Sequence, residues 1–323
     1  MPTKQKRAIL LIQLGSPVKA TPQALKDYLI SFLGDPHTLG NPPFFWNALL
    51  RNIIAPLRAK ASAKKYLEML KAHQISEMPL ITHTQNFSQG VQKELGPDTL
   101  VLHAFQHGAK PSIKDALDEF TKQGFHHIQA IPLYPQRSEA TSTAAIHQLQ
   151  TELEAYPHLK AQVAEAFFEH PAWVECISQS IQARHKANQQ ILISWHGMDQ
   201  KRIDAGDFYE SDCKKSVLAI QKHIPSTILV AYQSRFGFAK WLGPSTLSIL
   251  KKLASQKASV LVVCPAFTVD NLETLHEIEI EAKDYFLKNG GRSFEMVPCL
   301  NADPKWVSVF SHKILADLKW KDI

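Results

Sequence analysis

Four cysteines, Cys176, Cys213, Cys264 and Cys299, are all that the 323 residues contain, and none forms a C-x-x-C pair. That pattern signals neither a structural zinc site nor a dithiol redox motif, and it suits a reducing cytoplasm. No apolar run approaches the roughly 20 residues of a membrane span. The run Ala8-Ile9-Leu10-Leu11-Ile12 follows a basic N-terminus, but it is too short for a signal peptide and no small-residue cleavage site follows, so it reads as a first strand. The chain lacks G-x-G-x-x-G and Walker A sequences, which argues against NAD, FAD and P-loop chemistry. It also lacks an arginine-rich arm and RNP-like aromatics, so no nucleic-acid partner is expected. The net charge of +6 fits an acidic small molecule or an anionic membrane surface.

What is present suits a globular enzyme, with 45% hydrophobic and 20% charged residues, and 323 residues make two domains or one large one. Apolar runs predict strands at 7–14, 99–105, 128–133, 161–168, 190–195, 227–233, 259–264 and 294–298. Helical spacing fills the intervals, including 112–123, 141–156, 171–186, 211–223, 244–256 and 272–288, with a closing helix at 304–318. Thr21-Pro22 opens the first helix as N-cap and N1. Further helices are expected at 46–57, at 63–72 and from Pro79 to Glu94. Strands alternating with helices give an α/β fold of parallel sheets.

The two halves echo each other. Leu11 to Gly15 matches Ile193 to Gly197, Val101 to Phe105 matches Leu229 to Gln233, and Ile128 to Pro132 matches Val260 to Cys264. His170-Pro171-Ala172-Trp173-Val174 matches Asp303-Pro304-Lys305-Trp306-Val307. Two similar doubly wound, Rossmann-like domains follow, each with a roughly four-stranded parallel sheet flanked by helices, and with a cleft between them. The expected divisions are 1–168, 169–302 and a closing helical segment 303–323. Ligands of such folds meet the carboxyl ends of the strands.

The strand 190–195 ends in Ser194-Trp195-His196-Gly197. A histidine there points out of the sheet, and the glycine is expected to let the backbone turn sharply. Glu273, Glu277 and Glu281 are spaced i, i+4, i+8 and form one acidic ridge that begins at another strand-end loop. His196 and Glu273 offer an imidazole and a carboxylate, a pair suited to a transient first-row divalent metal or to proton transfer. Between 39 and 57 the residues Phe44, Phe45, Trp46, Leu49, Leu50, Ile53, Ile54 and Leu57 are apolar, with Arg51 and Arg58 interleaved. This stripe reads as a core helix, as a lid over an apolar ligand, or as a patch resting on a membrane.

Seven motifs in this order resemble ferrochelatase, the family that inserts ferrous iron into a porphyrin. They are Leu14-Gly15-Ser16-Pro17, Phe32-Leu33-Gly34-Asp35-Pro36, Pro132-Leu133-Tyr134-Pro135-Gln136, Ser194-Trp195-His196-Gly197, Gln233-Ser234-Arg235-Phe236-Gly237, Asp270-Asn271-Leu272-Glu273-Thr274-Leu275 and Pro298-Cys299-Leu300-Asn301. The resemblance runs from about Ala8 to Val307. It implies His196 as proton acceptor or metal ligand, Glu273 as its paired carboxylate, and Glu277 and Glu281 as an acidic path. The metal-handling set is then His196, Glu273 and Glu277. The implied porphyrin contacts are Tyr134, Arg137, Trp46, Ser234 and Arg235, and segment 35–58 becomes a lip over the macrocycle.

The resemblance further implies porphyrin, protoporphyrin IX foremost, and Fe²⁺ as substrates. No permanently bound cofactor is expected, nor an iron–sulfur cluster, since the last cysteine is Cys299. A cytoplasmic enzyme is expected, with peripheral contact to the inner face of the membrane through 39–57. Arg137 stands where the family has an aromatic residue, Asn271 where it has cysteine or histidine, and Gln106 to Ser112 where it commonly reads Tyr-Gly-Asn-Pro-Ser. These departures bear on porphyrin and metal preference. The competing readings are a non-catalytic tetrapyrrole- or haem-binding protein, and a chelatase for another metal or for coproporphyrin.

Overall fold

A computed structural model describes residues 6–39, 42–235 and 239–323. Phe236 and Gly237 of the fifth motif, and residues 40 and 41 of the expected lip, lie outside the described residues. The chain forms two compact units. The first takes residues up to Tyr134, Ser138–Ala166 and Ala302–Ile323, and the second takes Pro135–Arg137 and Phe167–Asn301.

The first unit holds β1 (Arg7–Gly15), β2 (Thr99–His107), β3 (His127–Pro132), β4 (Lys160–Ala164) and β9 (Trp320–Asp322), in the order β2-β1-β3-β4-β9. The second holds β5 (Gln189–His196), β6 (Ile228–Gln233), β7 (Ser259–Val263) and β8 (Ser293–Val297), in the order β6-β5-β7-β8. All pairings are parallel except β4 with β9. The strands are continuous apolar runs because helices cover both faces of such sheets. Ile9, Leu10, Leu11 and Ile12 are buried on both faces of β1, as are Ile191, Leu192 and Ile193 in β5.

The echo between the halves is borne out in topology, since β1 to β4 and β5 to β8 share one strand order. Its register holds in one pair of strands and slips in another. Ile9 lies against Gln129 and Ile191 against Leu261, which keeps 128 matched to 260 as the sequence suggests. But Ile9 lies against Val101 and Ile191 against Ile228. Val101 therefore corresponds to Ile228, one residue before its expected match. This places Gln106, not Phe105, in register with Gln233.

Four features depart from expectation. The fourth strand stops at Ala164, and Phe167 and Phe168 are buried beyond it. The two helices expected at 46–57 and 63–72 are one continuous helix, built from Trp46–Leu49, a π-helical turn Leu50–Ile54 and Ala55–His73. The closing helix ends at Asp317, and Trp320–Asp322 add an antiparallel edge strand that gives the first sheet five strands. The helix expected at 272–288 opens as a ten-residue π-helix, Glu273–Ala282, and continues as Lys283–Lys288.

The fourth matched pair of motifs starts two helices by the same chemistry. His170 Nδ1 accepts from Ala172 N with Pro171 at N1, and Asp303 caps Lys305 N and Trp306 N with Pro304 at N1. Trp173 and Trp306 are both buried. The helix Pro171–Arg184, which follows β4 in the chain, belongs to the second unit; the helix from Pro304, which follows β8, belongs to the first.

Candidate active site

His196 is the last residue of β5, and it is half-buried while Trp195 before it is fully buried. Its Nδ1 lies 2.8 Å from the carbonyl oxygen of Gly197. A carbonyl only accepts, so Nδ1 carries the proton in the neutral ring and Nε2 keeps its lone pair. The ring stands edge-on to Phe267, with centroids 6.1 Å apart. Gly197 is required for a different reason from the expected sharp turn. A β-carbon there would sit 2.4 Å from the carbonyl oxygen of Gln233, the atom that accepts from Gly197 N–H at 2.8 Å. Gly15 has the same constraint in the first unit, where a β-carbon would meet the His107 carbonyl oxygen at 2.0 Å.

Glu273 opens the π-helix. The turn before it is tied down by polar contacts. Asp270 accepts from Thr274 Oγ1 at 2.9 Å, from Cys299 N at 3.2 Å and from Asn301 Nδ2 at 2.7 Å. Asn271 and Thr274 cap each other, each backbone N–H donating to the other's side-chain oxygen. Asn271, a departure from the family pattern, thus holds the helix start. π-Helical turns in proteins occur frequently at functional sites. Burial pushes the Glu273 carboxyl above the usual range, the charge of nearby His196 opposes the rise, and Glu277 adds to it. A carboxyl held in this way is suited to exchanging a proton.

The rest of the acidic ridge is not uniform. Glu277 accepts from Ser234 N at 2.6 Å and from Ser234 Oγ at 2.5 Å. Ser234 adopts a left-handed φ of 58°, which aims both donors at one carboxylate and carries a backbone strain of roughly 1 kcal/mol. Glu281 is exposed and lies 3.7 Å from Nδ1 of the buried His276. Among the described residues no three His, Cys, Asp or Glu side chains gather into a metal-holding group.

The remaining expected site residues fall as follows. Arg235 is exposed and donates to the Leu242 carbonyl at 3.3 Å. Arg137, one of the implied porphyrin contacts, belongs to the second unit and is 43% exposed. Its guanidinium forms a two-pronged pair with the fully buried Asp212, at 2.8 Å and 2.6 Å, and lies over the Phe208 ring at 4.4 Å. In the first unit, Tyr134 donates to Gln106 Oε1 at 2.6 Å, and burial drives its hydroxyl well above the usual tyrosine range. Trp46 donates from its indole N–H to the Leu33 carbonyl at 2.8 Å, which ties the long helix to the end of Pro22–Gly34. A cavity of about 560 Å³ runs along the edge strand β2 and includes none of these residues.

The structure therefore brings His196, Glu273, Glu277 and Ser234 together at the carboxyl end of the second sheet. Gln233, which opens the fifth motif and is not among the expected site residues, joins three elements there through its side chain. Its adjacency to Ser234 was the available signal.

The ferrochelatase family model matches residues 6–318. The chain belongs to the ferrochelatase family. A ferrochelatase of Chromobacterium violaceum is 33% identical over 98% of this chain and 90% of its own length. The fold is shared with more distant solved chelatases. SirB from Bacillus subtilis with Fe³⁺ has a TM-score of 0.56 at 15% identity, covering 96% of this chain and 94% of its own. CbiX, the terminal enzyme of sirohaem biosynthesis in denitrifying bacteria, has a TM-score of 0.52 at 10% identity, covering 97% and 100%. Membership of the ferrochelatase family makes this chain a porphyrin metal chelatase, a lyase that exchanges pyrrole protons for a metal ion.

Proposed function

We propose that this ferrochelatase-family enzyme inserts Fe²⁺ into protoporphyrin IX, with His196 Nε2 as acceptor for the pyrrole protons and Glu273 as its proton-exchanging partner. The observation that carries the reading is the bond from His196 Nδ1 to the Gly197 carbonyl, which leaves Nε2 basic beside a carboxyl that burial has pushed up. The overall exchange is balanced: the porphyrin gives up two N–H protons as one divalent ion enters. A base beside a carboxyl able to take on and release protons meets that need. Iron is substrate in this scheme, not a resident group. Glu277 is held by Ser234 through both carboxylate oxygens, each of which keeps a free lone pair for a metal ion. Incubation with Fe²⁺ or Zn²⁺ and either protoporphyrin or coproporphyrin, followed at the Soret band, tests the reading. Metalation of protoporphyrin is expected; metalation of neither porphyrin sinks it.

The same reading places the enzyme in the cytoplasm, with the start of the long helix resting on the inner membrane face. Phe44 is 98% exposed and Leu57 is 72% exposed, Phe45 and Ile53 are half-exposed, and the exposed Arg51, Lys60 and Lys64 lie on the same helix. Apolar side chains beside basic ones suit an anionic bilayer surface. Among the described residues no helix is long and apolar enough to cross a membrane. Flotation with anionic liposomes, lost on changing Phe44 and Phe45 to Ser, is the expected result; flotation unchanged by the substitutions removes this contact.

A further inference from the structure

Gln233 ends β6 and is 3% exposed. Its Oε1 accepts from Ser194 Oγ at 2.7 Å and from Cys264 Sγ at 3.4 Å. Its Nε2 donates to the backbone carbonyl of Glu273 at 3.0 Å. Its own carbonyl accepts from Gly197 N–H at 2.8 Å. One residue thus holds the peptide that follows His196 and the carbonyl of Glu273.

The amide's orientation is fixed by chemistry. The Glu273 carbonyl only accepts, so the end of the amide that faces the helix is the –NH₂, and the end that faces the hydroxyl and the thiol is the oxygen. Ser194 is itself fully buried and shares a 2.7 Å hydrogen bond with Thr246 Oγ1. The next residue, Ser234, holds the Glu277 carboxylate. The end of β6 therefore grips the π-helix at two successive acidic positions, Glu273 by its backbone and Glu277 by its side chain.

We propose that Gln233 is a positioning residue for metal insertion, setting the first turn of the π-helix so that the Glu273 carboxyl is presented to His196. The inference rests on the roles given to His196 and Glu273 above. The first unit offers a natural comparison. Gln106 occupies the same register position, and its Oε1 likewise accepts, from Tyr134. Both sheets thus place a buried glutamine here, and in the second its –NH₂ takes hold of the π-helix. Residues that orient metal-handling side chains are typically worth about 10–100-fold in activity.

The test uses the full chain and zinc insertion into protoporphyrin. Gln233→Met keeps the side-chain length and removes the donor. A fall in kcat of about tenfold or more is expected, with porphyrin KM and the fluorescence-quenching Kd within about twofold, as a lost orientation predicts. Ser194→Ala, which frees the amide without removing it, should fall in the same direction by less; it serves also if Gln233→Met does not fold. Wild-type kcat in folded Gln233→Met, or in Ser194→Ala when only that variant folds, overturns the inference. So does a loss shared equally by kcat and the folded fraction. Glu273→Gln separates the two levels: if it is inactive while folded Gln233→Met is fully active, only the positioning role fails, whereas a fully active Glu273→Gln overturns the underlying reading.

Discussion

Leu14 and His196 occupy the same place in two sheets of the same strand order. Gln13 lies against Phe105 and Gly15 against His107, which sets Leu14 opposite Gln106, just as His196 lies opposite Gln233. A glycine follows each, pressed against the carbonyl of the neighbouring strand. The scaffold was made twice and the imidazole placed once. His196→Leu therefore installs the residue that the first unit already accommodates at this position. It is expected to fold, to bind protoporphyrin with affinity near that of the parent, and to lose metalation by about 10²–10⁴-fold. Porphyrin fluorescence and Soret-band kinetics on the same preparation measure both. Unchanged turnover in this variant, or in His196→Ala, removes His196 from the chemistry.

Glu273 sets stability against function. Its carboxyl is raised in the folded state, so the folded chain binds that proton more tightly than the unfolded chain does. The resulting stability is fully present below the unfolded value near 4.5 and is lost as pH rises through the higher folded value. At neutral pH the ionised side chain is therefore a burden, and Glu273→Gln should raise Tm at pH 7.5 while abolishing insertion. The gain should shrink toward zero as pH is lowered to 4.5. A variant less stable than the parent at pH 7.5 contradicts the assignment.

His107 behaves in the opposite sense. Burial depresses its pKa to about 4, only partly offset by Asp35, whose Oδ2 lies 3.7 Å from Nε2. The neutral ring shares a hydrogen bond with Ser31 Oγ at 2.9 Å and meets Phe32 edge-on. Its contribution is whole above 6.5 and disappears as pH falls through about 4, at up to about 1.4 kcal/mol per pH unit. His107→Gln should flatten the acid limb of a stability–pH curve measured by urea unfolding. An acid limb identical to that of the parent assigns the loss to other groups.

Arg137 and Asp212 should respond asymmetrically. Asp212 is fully buried whereas Arg137 is 43% exposed. Removing the guanidinium strands a buried carboxylate that keeps the Arg137 backbone N–H, at 3.0 Å. Arg137→Leu is expected to destabilise by about 3–5 kcal/mol, and Asp212→Leu by less, because the freed arginine can turn to water. The double variant should recover most of the loss. Porphyrin KM should stay unchanged in folded Arg137→Leu; a rise of tenfold or more would instead give the guanidinium a propionate to bind.

The eight parallel strands were legible because continuous apolar runs bounded by glycine, proline and polar turns leave little choice. β9 was not, since Trp320-Lys321-Asp322 is short, polar and defined only by β4 beside it. The long helix was read as two because its middle buries Ala55, Ala59 and Ala63, small residues that leave no large apolar stripe. Its π-turn and the one at Glu273 escaped counting by a period of 3.6. At the site, His196 and Glu273 could be found from strand ends and spacing. Gln233 could not be given its role, because its partners are 31 to 40 residues away. The pairing of Arg137 with Asp212, 75 residues apart, was hidden for the same reason.

The helices beginning at Pro171 and Pro304 each join the unit other than the one whose strands they follow. On a ribosome this fixes an order of events. The first sheet can assemble as far as β4 early, yet the closing helix, whose Trp306 and Phe310 pack on Phe87, and the last strand are translated only after the whole of the second unit. The N-terminal half must therefore wait with apolar surface uncovered, and a nascent chain arrested near Asn301 would be a natural client for a chaperone.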